Sequence, residues 1–393
     1  MTSKERVLAT IRGEPVDRIP VHHLQFSGDA AHKIVGRECL VGGAFLQWKA
    51  MHALWNGPDA YAEYRQRCEE DAVAVARACG HDIVRLQYWA WNGGRPTRKI
   101  DDYNFLFGDE NGQWTHYTYD PMLELLLAKQ GHGRGGVATS VGAVVAGEPD
   151  EAVLRQEVEK EEALAASYVA PEGIIDTMKA QIARYPDLLV KSGGDTVYVD
   201  MDSSADLLSI ALWPDLIARR YMARASRIAK DIPRLARSGM QVNFTGWDFC
   251  SNQGPVISPE SFREVLTPAL KLIVDTCHAN GMYYFYSGDG NFWVVADEFF
   301  NAAGVDGYFE VDRSASMELR PLRQKFPKTT FIGNIRVQVL HLGTKEDVKR
   351  EVMDCLEAAH DLGGIIVGAS NMIMPGTPPD NIHTMLDVIE KNR

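Results

Sequence analysis

The sequence predicts an α/β protein built as a closed barrel of eight parallel strands, with an N-terminal helical segment and a long insertion between strands two and three. Three observations carry this expectation. Eight short runs rich in Val, Ile, Tyr and Phe recur along the 393 residues. From the third run onward, helical patterns separate them. The first run leads into HHLQFSGD, not the glycine-rich phosphate loop that usually opens a doubly wound sheet. Eight strands alternating with helices suit a closed ring better than an open sheet.

The elements follow in order. MTSKERVLATIRGEPVDRIP is a charged amphipathic helix and its exit turn, and IPVHHL (19–24) is the first strand. Residues 25–81 read as mainly helical, and DIVRLQYW (82–89) is the second strand. The insertion, 90–194, opens on the turn NGGRP and continues into a hairpin, KIDDYNFLFGD–ENG–QWTHYTYD, in which Gly112 is expected to supply a positive φ. The glycine-rich stretch 131–147 is expected to be a loop over the pocket, and helices follow at 151–168 and 172–185. DTVYVDM (195–201) is assigned as strand three, and 240–247, 282–287, 304–311, 329–335 and 363–370 as strands four to eight. Helices are expected at 212–230, 259–279, 293–303, 316–325, 345–361 and 379–391; Ser258 with Pro259, and Thr344 with Asp347, are start signals. The whole chain, 1–393, is read as one barrel domain carrying the insertion.

Composition narrows the function. Apolar residues make up 45% and charged residues 24%, as in a folded globule. Lys plus Arg number 41 against 53 Asp plus Glu, a net charge of −12, which argues against a general nucleic-acid or anionic-membrane binder. No run of 18 apolar residues and no signal-peptide core is found. Six scattered cysteines without a CxxC pair suit free thiols in a reducing cytoplasm. The expected ligand is a small molecule, with neither nucleic acid nor membrane as partner.

In a parallel barrel the site lies where strands feed their following loops. Those positions gather His22 and Gln25; Arg85, Gln87 and Trp89; Asp200, Asp202 and Ser203; Trp247, Asp248 and Cys250; Tyr286, Asp289 and Asn291; Glu310 and Arg313; Asn334 and Arg336; and Asn371. Buried polar groups need partners, so such convergence points to a pocket. Asp248, Asp289 and Glu310 are the catalytic candidates, since three carboxylates at one mouth can bind a cation or trade a proton through a raised pKa. Gly288 and Gly290, flanking Asp289, are expected to let backbone approach a ligand. Cys250 is a candidate soft-metal ligand beside Asp289 or Glu310. Trp89, Trp91, Trp247, Phe249, Tyr286, Phe292 and Trp293 are candidate stacking surfaces.

SKERVLATIRGEPVDRIPV, GPVISPESFREVLTPALKLIVDTCHANG, the segment from YSGDGNFWVV to TTFIGNI, and GGIIVGASNMIMPGTPPDNIHTML resemble the uroporphyrinogen decarboxylase superfamily over nearly the whole chain. The resemblance implies a TIM barrel and two kinds of chemistry. One is cofactor-independent decarboxylation of uroporphyrinogen; the other is methyl transfer involving corrinoids, in several members with zinc. The Arg-rich first-strand segment of the decarboxylases is replaced by HHLQFSGD, and the His-x-Cys zinc motif by Tyr286, Ser287, Gly288 and Asp289. The Asp-Gly-Asn version resembles O-demethylase-type and uncharacterised members. The expected reaction is therefore methyl transfer from a small methoxylated or methylated substrate to a corrinoid (cobalamin). The corrinoid would be carried by a separate protein, because no Asp-x-His-x-x-Gly segment is present. His22, Gln25, Arg85, Gln87, Trp89, Trp247, Tyr286, Asn291, Arg313, Asn334, Arg336 and Asn371 are expected around the substrate. Zinc is a weaker expectation without its usual ligands, and a homodimer is compatible with the resemblance. The alternatives are a decarboxylating lyase and a non-enzymatic binder.

Overall fold

A computed structural model describes residues 1–86, 91–132, 139–140, 147–171, 175–191, 193–201 and 203–393. It has an α/β architecture in which short parallel strands form a ring flanked by helices, a distorted TIM-barrel-like arrangement. Val21 pairs with Val367, and its carbonyl accepts from the Asp82 amide at 2.9 Å. Ile83–Arg85 runs parallel to Leu189–Lys191, and Gly193 pairs with Phe244. Val242–Phe244, Tyr283–Ser287, Gly307–Phe309, Thr330–Ile332 and Ile365–Ile366 then pair in sequence, leading back to Val367.

The barrel interior begins with Leu24, Ile83, Leu189, Val242, Phe244, Phe285, Phe309, Ile332 and Ile366, all buried. The N-terminal helix, Ser3–Ile11, adds Val7 to this cluster and closes one end. Its start is fixed by a capping box between Thr2 and Glu5. Strand side chains repeat on one face every second residue. Arg85 and Lys191, two residues beyond Ile83 and Leu189, therefore enter the next layer toward the open end.

The third strand departs from expectation. Leu189–Lys191 enters the ring, whereas residues 195–201 form no strand. Val197 and Val199 bury their side chains in the outer core, among residues such as Ile217 and Tyr221 of the helix Pro214–Arg237. Both segments are apolar and β-branched, and ladder pairing with Ile83–Arg85 decides between them. Asp200 and Ser203 consequently follow the strand at a distance, and Asp202 lies outside the described residues.

Residues 25–81 are mainly helical as expected, with helices Gly28–Val35, Ala44–Asn56 and Pro58–Ala78. The hairpin is present: Asn104–Gly108 pairs antiparallel with Gln113–Asp120. The positive φ falls on Gly108, at 85°, not on Gly112; a Cβ on Gly108 would lie 2.3 Å from the Gln113 carbonyl oxygen. Leu125–His132 adds a strand that the sequence reading did not foresee. Most of the glycine-rich 131–147 stretch lies outside the described residues. The Ser258 cap and the Thr344–Asp347 capping box both form. No helix among the described residues is long and apolar enough to cross a membrane.

Asp82 ties the ring together where it is thinnest. Its carboxylate, fully buried, accepts from the Val21 amide at 2.8 Å and pairs with the Arg6 guanidinium. Replacing Asp82 by Asn keeps the shape but leaves the buried Arg6 guanidinium with only the exposed Asp17 as its anion. We expect Asp82→Asn to lower the unfolding free energy by about 2 kcal/mol, read from the urea midpoint. A loss below about 1 kcal/mol, the worth of an exposed pair, would show that the pair is dispensable.

Candidate active site

Two strand-end loops zip together at the open end of the barrel. The Trp247 amide donates to the Ser287 carbonyl at 2.9 Å, and the Asn291 amide to the Ser251 carbonyl at 2.8 Å. The Tyr286 hydroxyl donates to the Trp247 carbonyl at 3.0 Å. Gly290, at φ 88°, has no room for a Cβ, which would sit 2.7 Å from the Cys250 and Ser251 carbonyl oxygens. A Cβ on Gly288 would meet the Trp247 carbonyl at 3.0 Å. These glycines therefore serve a close approach between loops, not the expected approach to a ligand.

The zipped loops bring the three candidate carboxylates together. One oxygen from each of Asp248, Asp289 and Glu310 lies within 4.8 Å of the others. Asp248 accepts from the Asp289 amide at 2.8 Å, and Asn371 donates to the Asp289 carboxylate at 2.6 Å. Glu310 follows the strand Gly307–Phe309 with a left-handed backbone, φ 69°. Such a conformation in a non-glycine residue costs on the order of 1 kcal/mol and is common where a side chain must be re-aimed.

Burial and mutual repulsion favour protonation. Burial, then the charges of Asp248 and Asp312, push the Asp289 carboxyl up to about 7, against the opposing hydrogen bond from Asn371. Burial, then Asp289 and Asp248, raise Glu310 well above the usual carboxylate range, although Ser287 and Lys191 work the other way. The group can hold a proton near neutrality. Its all-oxygen donor set could alternatively hold a hard divalent cation, and suits magnesium, manganese or calcium better than zinc. Cys250, the expected soft ligand, is buried in the core with its thiol pushed up to about 12 by burial and then Asp248, so it stays protonated.

A cavity of about 540 Å³ adjoins the group, lined by Gln25, Arg85, Lys191, Trp247, Asp248, Ser287 and Glu310 among others. Phe244 and Phe309 form part of its wall, and Trp247, 47% exposed, stands at the mouth against Tyr198 with ring centroids 4.5 Å apart. His22 is buried, and neither ring nitrogen has a hydrogen-bond partner among the described residues. Burial, then Lys191 and its histidine neighbours, holds it neutral.

Other expected site residues are placed elsewhere. Tyr286, Phe249 and Phe292 are buried in the aromatic core. Trp91 packs against Phe107 and Tyr117 of the insertion. Arg313 pairs with Glu318 and Asp354, and Arg336 with Glu351, around a separate cavity. Asn334 is buried, donating to the Met317 carbonyl and accepting from the Cys355 thiol. Asn291 accepts from the Trp293 amide. Asn371 reaches the site through Asp289. Gln87 and Trp89 lie outside the described residues.

Lys191 escaped the sequence reading because strand three was placed too late. A lysine inside the apolar run LLVKSGG was the available signal, since buried lysines are rare without a reason.

Residues 248–392 match the family model described as uroporphyrinogen decarboxylase (URO-D). The match is narrower than the whole-chain resemblance: it includes the three carboxylates and omits Arg85 and Lys191. No curated protein matches significantly. Among solved structures, a methyltransferase from Methanosarcina mazei superposes with a TM-score of 0.59 at 17% identity, covering 100% of this chain and 99% of the other. At that identity the likeness establishes a shared fold. A D-psicose 3-epimerase from Clostridium cellulolyticum H10 reaches a TM-score of only 0.34 at 12% identity, over 63% of this chain and 93% of its own.

The raised Asp289 pKa has a stability consequence. The folded chain holds the proton more tightly than the unfolded chain, whose value is near 3.8. The stabilisation is complete below that value and is lost as pH rises to about 7. Asp289→Asn cannot lose a proton, yet its carbonyl can still accept from Asn371. We expect this variant to gain about 1–2 kcal/mol on wild type between pH 4 and pH 8 in paired urea titrations. A difference independent of pH would contradict the raised value.

Proposed function

We propose that this protein is a methyltransferase that removes a methyl group from the oxygen of a small methoxylated molecule and passes it to a corrinoid. The observation that carries the reading is the carboxyl group at the cavity edge that stays protonated near neutrality. An ether oxygen leaves poorly as an alkoxide or phenoxide. Glu310 or Asp289 can donate a proton to that oxygen as the methyl–oxygen bond breaks, which makes it a competent leaving group. Asp248, through its bond to the Asp289 amide, holds the acid in place. A cavity of about 540 Å³ has the size of a small-molecule site.

The fit to a corrinoid rests on the mouth. The cavity is sized for the methyl donor, while Trp247 and Tyr198 offer aromatic surface at its rim, where a corrin carried by a separate protein can lie. When bound, the corrinoid supplies the cobalt that accepts the methyl group. The fold shared with the Methanosarcina mazei methyltransferase is compatible with this reading.

The alternative, a cofactor-independent decarboxylase, has the family-model match in its favour. A polycarboxylate substrate needs several cationic partners. Two of the expected arginines, Arg313 and Arg336, are instead engaged by Glu318, Asp354 and Glu351.

The test is methyl transfer from methoxylated aromatic compounds to reduced cobalamin, with product detected by absorbance. We expect Glu310→Gln and Asp289→Asn to lower kcat by about 10²–10⁴-fold with little change in KM. The wild-type rate should fall as pH rises through about 7 and the acid loses its proton. Unchanged rates in both variants would overturn the assignment. Release of carbon dioxide from uroporphyrinogen without corrinoid would favour the alternative.

A further inference from the structure

Arg85 and Lys191 stand in register on adjacent parallel strands, with their Cα atoms paired, and both line the candidate cavity. Two cations side by side on one sheet face repel each other. Lys191 is only 8% exposed. Among the described residues its ammonium makes no ion pair or hydrogen bond; its neighbours are the ring faces of Phe309 and Phe244, at 4.0 and 5.3 Å from the ring centroids. A buried ammonium without an acceptor is costly, and burial, reinforced by Arg85, lowers its pKa well below the usual lysine value. An anion in the cavity would give that ammonium the acceptor it lacks. Glu310, the acid whose charge acts on Lys191, is itself favoured in its protonated form by burial, then by Asp289 and Asp248.

We propose that Arg85 and Lys191 anchor a carboxylate of the substrate, so that the cavity selects small monocarboxylates whose other end carries the reacting group. The cationic wall fixes one end of the molecule, and Asp248 and Glu310, with Asp289 beside them, are left for the other. A singly charged carboxylate suits this site better than a phosphate dianion, which would bring a second charge toward those acids. The anchor stands on the cavity itself. Only the identity of the reacting end, an alkylated oxygen, rests on the methyltransferase reading.

The experiment is equilibrium binding without any methyl acceptor, by titration calorimetry and Trp fluorescence. The probes are 4-methoxybenzoate, its neutral analogue 4-methoxybenzamide, and inorganic phosphate as competitor. We expect the carboxylate to bind about 10- to 100-fold more tightly than the amide, with no displacement by equimolar phosphate. Lys191→Met should erase that preference while leaving amide binding intact, and Lys191→Arg should retain it. Retained amide binding reports a folded cavity; if Lys191→Met does not fold, Lys191→Gln replaces it.

Equal binding of the two probes, a preference that survives Lys191→Met, displacement by phosphate, or no binding of either probe would each overturn the anchor. Methyl transfer is assayed separately. Carboxylate preference without methyl transfer overturns only the proposed reaction, and methyl transfer without carboxylate preference overturns only the anchor.

Discussion

The structure depends on a single buried carboxylate. The barrel strands are short, and among the described residues the first touches the second through one backbone bond, from the Asp82 amide to the Val21 carbonyl. The Asp82 side chain supplies a second by accepting the Val21 amide, and it engages Arg6 of the closing helix. Its own carbonyl accepts from Leu189 on the third strand, at 3.1 Å. One residue thus joins the N-terminal helix and three strands. Arg85 lies three positions beyond it, and Lys191 two positions beyond Leu189, so the same clasp sets the position of the cavity's cationic wall.

The cavity is electrically divided. Carboxyls gather in one part of it and cations in another, and among the described residues Lys191 forms no ion pair with those acids. The acids retain the cost of crowding like charges, and Lys191 that of leaving water. Protonation relieves it on the acidic side. That is the pattern expected of a site built for chemistry, where groups are held in states that water would not favour. By contrast, the larger cavity beside Arg313 and Arg336 contains cations already matched to Glu318, Asp354 and Glu351. Its charges are satisfied, and it offers no comparable demand for a ligand.

Much of the barrel was legible because strand and helix signals are local. YYFYS, TTFIGN and GGIIVG announce buried parallel strands by apolar density, and Ser258 and Thr344 announce helix starts by side chains that satisfy open amides. The carboxylates were legible because Asp248, Asp289 and Glu310 each follow a strand. Strand three was not, because LLVKSGG and DTVYVDM carry the same local signal. Lys191 was lost with it. Tyr286, Phe249 and Phe292 were misplaced for a related reason: an aromatic residue near a strand end can turn into the core or toward the mouth, and its type does not say which.

The sequence by itself determined the strand–helix alternation, the three acids and the absence of a basic excess. These properties reside in residue type and short spacing. Tertiary structure decided which apolar run enters the ring, that Gly288 and Gly290 bring two loops together, and that Arg85 stands beside Lys191. Those outcomes depend on pairing between segments about forty to a hundred residues apart. They follow from competition for hydrogen-bond partners and buried space, which no single stretch of chain contains.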